Sequence, residues 1–148
     1  MVQVRRWAGT SYRYLMPLFV AAVVVQFFLA GAGVFRAKRG ADEHLFESSS
    51  FDAHRDLGWL LQLGSLLLLL LILIAWSDRR TIVHTAVLFL LTAILQPVLS
   101  GLGEDSPWVA ALHPVNGLVI LALASLLAHR AWRPSRAERP PAGPATAT

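Results

Sequence analysis

Apolar residues gather in four uncharged runs, residues 14–35, 57–76, 81–103 and 106–128, each of 20 to 23 residues. An α-helix needs about 20 apolar residues to cross the hydrocarbon core of a bilayer. The pattern therefore predicts four transmembrane helices, at about residues 14–35, 50–76, 81–103 and 106–130. The expected fold is all-α, an integral membrane four-helix bundle. A chain of 148 residues holds one domain. Residues 14–130 would form it, with a basic lead over 1–13 and a tail over 131–148 whose Pro, Ala and Arg content reads as disordered. The first run ends near Ala30-Gly31-Ala32, which resembles a signal-cleavage site. The apolar stretch is long for a signal core, so it is read as a helix.

The polar stretches between the runs place the ends of the elements. Trp7, Tyr12 and Tyr14 follow the first arginines and read as an interfacial aromatic belt. Residues 36–49 form a long charged loop. In "ESSSFDAH" the serines are N-cap candidates and Asp52 suits a first helical turn, so the second helix should start near Ser50. "WSDRRT" and "GEDSPW" read as tight hairpin links.

Charge adds an orientation. The net charge is +4, but Arg5, Arg6, Arg13, Arg79, Arg80, Arg130, Arg133, Arg136 and Arg139 all fall on one side of an alternating four-span topology. The other side carries Arg36, Lys38, Arg39 and Arg55 together with Asp42, Glu43, Glu47, Asp52, Asp56, Glu104 and Asp105. The positive-inside rule puts both termini in the cytoplasm. The basic excess thus reports orientation rather than a nucleic-acid partner. An apolar share of 55% also lies above that of a soluble domain. These features fit the inner membrane of a bacterium, and the preference for Arg over Lys fits a GC-rich genome. The chain has no cysteine, which excludes disulfides, thiolate metal sites and cysteine nucleophiles.

An internal repeat organises the four runs. The first contains "VVVQFFLAGAG" and the third "AILQPVLSGLG". Aligning Gln26 with Gln96 also aligns Leu29 with Leu99, Gly31 with Gly101 and Gly33 with Gly103. The second and fourth runs then match through His-x-x-x-Gly, His54 with Gly58 and His113 with Gly117. The chain reads as two pseudo-repeated helical hairpins, each Q-x-x-L-x-G, outer loop, H-x-x-x-G. Helix counting puts Gln96 and His113 both roughly 10 Å below the outer ends of their helices. Gln26 counts somewhat deeper and His54 somewhat shallower. Four polar side chains, one per helix, converge on the outer half of the bundle.

Two readings of that convergence stand side by side. A haem iron takes two axial imidazoles from opposite sides, and helix bundles place such ligands on facing helices. A glycine one turn beyond each histidine would let a porphyrin lie against the backbone. Arg55, with Arg36, Lys38 and Arg39, would meet the propionates. Alternatively, the histidines hydrogen-bond across helices and the glycines serve close packing. Gln26 and Gln96 suit a propionate, a quinone carbonyl or interhelical bonding. Pro97 should kink the third helix and free carbonyls near the site, and Pro114 should open the fourth. His84 and His129 read as interfacial and His44 as solvated.

Three stretches, "HRDLGWLLQLGSLLLLLLILIAW", "AILQPVLSG" and "PWVAALHPVNGLVILALASLL", resemble one four-helix half of the heme A synthase family, over roughly residues 23–127. The likeness lies in a His-Arg opening one helix, a Gln in the helix before a histidine helix, and a Trp-Val-x-x-x-His helix after an outer loop. It implies haem ligation from alternate helices by His54 and His113. The family has eight helices where this chain has four, an acid where this chain has Phe51, and outer-loop cysteines that this chain lacks. The resemblance therefore implies the architecture and the ligand pair, not the oxygenase reaction.

No nucleophile constellation, phosphate loop or carboxylate pair stands inside the apolar runs. The expectation is a membrane protein that binds one b-type haem, for electron transfer or haem sensing, with a quinone or a partner protein as its redox partner. At most it is a redox component rather than an enzyme. An accessory subunit with packing histidines, or a small proton or solute pathway, are the alternatives. Four helices close a bundle alone, and two copies would make an eight-helix homodimer.

Overall fold

The structure, a computed structural model, describes residues 1–37, 50–103 and 105–133. Lys38, Arg39, His44, Glu104 and the tail from 134 lie outside them. The described residues form four helices and no strand: α1 (Val2–Ala37), α2 (Asp52–Ala75), α3 (Arg79–Gly103) and α4 (Pro107–Ala131). All four are long and apolar enough to cross a membrane, and the chain is a multi-pass membrane protein.

Backbone contact joins α1 to α2, α2 to α3, α3 to α4 and α4 to α1, and neither diagonal pair. This is an up-down bundle closed on itself, as short links between antiparallel helices require. Its core follows helical spacing. Ala8, Tyr12, Met16, Phe19 and Val23 form the buried stripe of α1; it meets Leu61, Ser65, Leu68 and Ile72 of α2, Thr85 and Leu88 of α3, and Ile120, Ala124 and Leu127 of α4. Large apolar side chains such as Trp59, Leu63, Leu67 and Leu70 point outward, as a lipid-facing surface demands.

Two boundaries depart from the sequence reading. The lead over 1–13 is not a separate segment, because α1 begins at Val2 and Ala8 and Tyr12 are 0% and 3% exposed. Tyr12 is not an interfacial belt residue either. It lies on the buried stripe, and its hydroxyl hydrogen-bonds to Thr85 Oγ1 at 2.8 Å, tying the α1–α3 diagonal. The first turn of α2 also differs. Phe51 holds the N-cap position, with no side-chain cap bond of its own. At the opposite link Asp78 caps α3, accepting from Thr81 N at 3.1 Å and from Thr81 Oγ1 at 2.6 Å.

The third helix is not uniform. Residues Leu90–Leu95 form a π-helical stretch between the α-helical parts Arg79–Phe89 and Gln96–Gly103. Pro97 has no N–H to give, and the ladder widens in the turn just before it. Helix α4 runs unbroken through Pro114, against the expectation that this proline would open it.

Candidate functional site

All seven residues singled out by sequence, Gln26, His54, Arg55, Gly58, Gln96, His113 and Gly117, line one cavity of about 340 Å³. That is within the range of small-molecule and cofactor pockets. The cavity lies in the half of the bundle away from Tyr12 and Thr85. Its chemistry is built twice, once in each hairpin.

In the first hairpin, Gln26 Nε2 donates to the backbone carbonyl of His54 at 2.7 Å, and His54 Nδ1 sits 3.2 Å from the carbonyl of Gln26. In the second, Gln96 Nε2 donates to the carbonyl of His113 at 3.2 Å, and His113 Nδ1 sits 3.2 Å from the carbonyl of Gln96. A carbonyl only accepts, so Nδ1 carries the proton in both rings and the lone pair is on Nε2.

The glycines explain how an amide reaches a helical carbonyl. In an α-helix the side chain at i+4 tilts back over the carbonyl of residue i. With Gly58 and Gly117 at those places, the carbonyls of His54 and His113 are open. A Cβ on Gly58 would lie 3.4 Å from Gln26 Nε2, and one on Gly117 would lie 3.8 Å from Gln96 Nε2. Gly117 also receives the ring of Phe27, at 3.0 Å from such a Cβ. The surface expected to hold a flat macrocycle is thus faced by a Gln amide in both hairpins, and by Phe27 in one.

The two imidazoles meet across the α2–α4 diagonal. Their ring centroids are 6.2 Å apart with planes inclined at 56°. Among the described residues they belong to no group of three or more His, Cys, Asp or Glu side chains able to hold a bare metal ion. Arg55 lies at the rim, exposed and paired with Asp52 one turn earlier. Arg36 is exposed in the last turn of α1. His84 and His129 stay out of the site. His84 Nδ1 lies 2.5 Å from the carbonyl of Arg80, and His129 Nε2 accepts from Arg133 at 3.1 Å.

Asn116 is the residue that sequence reading passed over. Only 6% exposed, it donates from Nδ2 to the Leu91 carbonyl at 3.0 Å and to Gln96 Oε1 at 2.5 Å. The Leu91 carbonyl belongs to the π stretch. From it the proton assignments run in one direction. Leu91 O accepts from Asn116, so the nitrogen of that amide faces Gln96; Gln96 Oε1 accepts, so its own nitrogen faces His113. Gln96 Nε2 then donates to His113 Nε2 at 3.1 Å. The signal for Asn116 was a polar residue three places after the histidine, where the first hairpin has Leu57. Two other cavity atoms are buried with no partner among the described residues, Gln26 Oε1 and Thr92 Oγ1.

Fold and site together define a four-helix membrane protein with a paired-histidine cavity in one half of its bundle. Comparison with family models, curated proteins and solved structures finds no match for this chain.

Proposed function

We propose that this protein binds one b-type haem between His54 and His113 and serves electron transfer or haem sensing. The spacing of the two rings carries the reading. If His54 and His113 shared one metal, bonds of about 2 Å and about 1.1 Å from each nitrogen to its ring centre would put their centroids roughly 6 Å apart. The observed separation is 6.2 Å. The outer nitrogens add support, because metal-bound histidines characteristically donate their other N–H to a carbonyl or carboxylate, and both rings have Nδ1 on a backbone carbonyl. A haem would supply one-electron chemistry; His54 and His113 would hold it, and Arg55 stands where a propionate would reach the rim.

The two Gln–His hairpins form a pseudo-repeat in this proposal, in keeping with the resemblance to half of a heme A synthase. The arginine-rich end, with Arg5, Arg6, Arg13, Arg79, Arg80, Arg130 and Arg133, faces the cytoplasm of a bacterial cell together with both termini. The histidine end faces outward, where a quinone or a redox protein exchanges electrons. A second copy of the chain would extend the bundle to eight helices.

The reciprocal Gln–His bonds favour a second reading, in which they fasten each hairpin and no cofactor binds. Reduced-minus-oxidised spectra of protein purified in mild detergent from haem-replete cells separate the two. The haem reading expects sharp low-spin b-type bands that are absent from both His54→Ala and His113→Ala. A folded, colourless wild type would overturn it in favour of the fastening role.

A further inference from the structure

The cavity is not closed on all four sides. Among the described residues, α2 is in backbone contact with α3 along Arg79–Phe89 and the π stretch Leu90–Leu95, and loses that contact over Gln96–Gly103. The last part of α3 packs on α4 instead. The gap begins where the widened turn ends, and it lies between two helices of membrane length, so it opens sideways toward lipid. Arg55, Trp59 and Gln62 line the cavity from the α2 side of this gap, and Pro97, Ser100 and Gly101 line it from the α3 side. The gap is unfilled at Gly101, where a Cβ would meet nothing within 4 Å.

Inside stand the two polar atoms that lack a partner among the described residues, Gln26 Oε1 and Thr92 Oγ1. Thr92 is 5% exposed. Because Gln26 Nε2 donates to the His54 carbonyl, the free end of that amide is its oxygen, which only accepts. In the second hairpin Asn116 supplies the matching donor to Gln96 Oε1. Buried polar atoms left unmet are rare because they are costly.

From the sideways opening and the two unmet atoms we infer that the cavity takes the head group of a lipid-soluble phenol, entering from the bilayer between α2 and α3. The ligand has to bring a donor for Gln26 Oε1, and the Thr92 hydroxyl gives or accepts as the ligand requires. About 340 Å³ suits a single aromatic ring among Phe27, Trp59 and Pro97, with an alkyl tail passing out through the gap. The head group is neutral. Apart from the imidazoles, the cavity's one charged lining residue is Arg55, which is paired with Asp52 at the rim, so a charge inside would be buried without a partner. A hydroquinone belongs to the same class, whereas an oxidised quinone only accepts and would leave Gln26 Oε1 unmet. The inference uses neither imidazole nitrogen and does not rest on the haem reading.

The test titrates the full-length protein in mild detergent with para-decylphenol and with para-decylanisole, the methyl ether that keeps the shape and loses the donor. Calorimetry is expected to show the phenol binding about tenfold more tightly, the worth of one hydrogen bond to an acceptor otherwise buried and unmet. Thr92→Val, of nearly the same size, should weaken phenol binding about fivefold. Gly101→Leu fills the gap and should abolish binding. Gly31→Leu, at the matching place of the first hairpin, also stands in open space but away from the cavity, and should bind as wild type does. The comparison of the two ligands needs no variant, so it decides the matter even where a substituted protein fails to fold. Equal binding of phenol and ether, or binding of neither, overturns the inference and leaves water as the partner of the two atoms. Undiminished binding in Gly101→Leu overturns the sideways entry. Visible spectra of the same samples report on haem separately, so the two readings stand or fall independently.

Discussion

The two hairpins share a frame and differ in how firmly it is held. In each, a Gln amide and a His ring exchange bonds through each other's backbone, and a glycine one turn past the histidine makes room. In each, a second glycine packs on the residue three before the histidine, Gly33 on Phe51 and Gly103 on Ala110. The glycines two places earlier, Gly31 and Gly101, both face open space. Against that common background one position diverges: Leu57 in the first hairpin, Asn116 in the second. From it follow the satisfied oxygen of Gln96, the orphaned oxygen of Gln26, and the different state of the two Nε2 lone pairs. Similar architecture thus leaves the chemistry of the two histidines to a single neighbouring side chain.

The glycine contacts give the largest expected effects. A Cβ on Gly103 would lie 2.9 Å from the Cα of Ala110, so the α3–α4 link itself has to move. On Gly33 it would meet the Phe51 ring at 2.7 Å and the Ser50 carbonyl at 3.1 Å, and a ring can turn aside. Overpacking costs about 1–3 kcal/mol. Gly103→Ala is expected near the top of that range and Gly33→Ala near the bottom, measured by thermal or denaturant unfolding in detergent. Equal costs would mean that the two links are equally tight and would remove this difference between the hairpins.

Asn116→Leu makes the second hairpin like the first. It strips a donor from Leu91 O and from Gln96 Oε1 in a buried setting. Hydrogen bonds between membrane helices average about 0.6 kcal/mol, reaching about 1.7, so two lost together should cost about 1–2 kcal/mol. Unfolding of the variant measures this, and an unchanged midpoint would show that Asn116 holds nothing.

Particular residues show how far the sequence alone reaches. Four membrane-length helices were readable because the bilayer fixes a length that the apolar runs either meet or miss. The cavity was readable because Gln, His and Gly recur at matching places, and all seven named residues do line it. Tyr12 was misread because an aromatic among arginines looks interfacial; its burial depends on sharing a stripe with Ala8 and Met16, which a basic flank hides. Asn116 went unseen because the matching position of the first hairpin is Leu57, so it falls outside the Gln, His and Gly that match. The role of Gly58 and Gly117 in admitting a glutamine was out of reach for a different reason: it depends on which side chain crosses from the neighbouring helix.

The converse change, Leu57→Asn, tests the same position from the other side. An amide there would offer Gln26 Oε1 the donor it lacks. The gain should be about 0.5 kcal/mol, since one membrane hydrogen bond is offset by ordering and by loss of leucine packing. A combined Leu57→Asn and Asn116→Leu protein is the sharper form. If the asymmetry belongs to this one position, a structure of the doubly substituted protein should show Gln26 Oε1 bonded and Gln96 Oε1 left without a donor, the reverse of wild type.

A pH-dependent effect lies in the link that joins the hairpins rather than inside either. The Thr81 hydroxyl, followed by backbone N–H groups of Thr81 and Arg80, holds the Asp78 carboxyl below its ordinary value of 3.8. With the folded pKa depressed, the carboxylate's contribution is fully present above 3.8 and is lost as pH falls through the lower folded value. Losing an Asp N-cap costs about 1 kcal/mol. Asp78→Ala should therefore unfold more readily than wild type at neutral pH, by about that amount, and the gap should close in acid. Because the cap holds only the start of α3, Asp78→Ala at neutral pH should leave the Gln–His pairs unchanged. A gap that persisted below the folded pKa would place the effect of the substitution elsewhere than in the charged cap. A change in the Gln–His pairs of Asp78→Ala at neutral pH would show that the joint and the histidine cavity, at opposite ends of the bundle, are coupled.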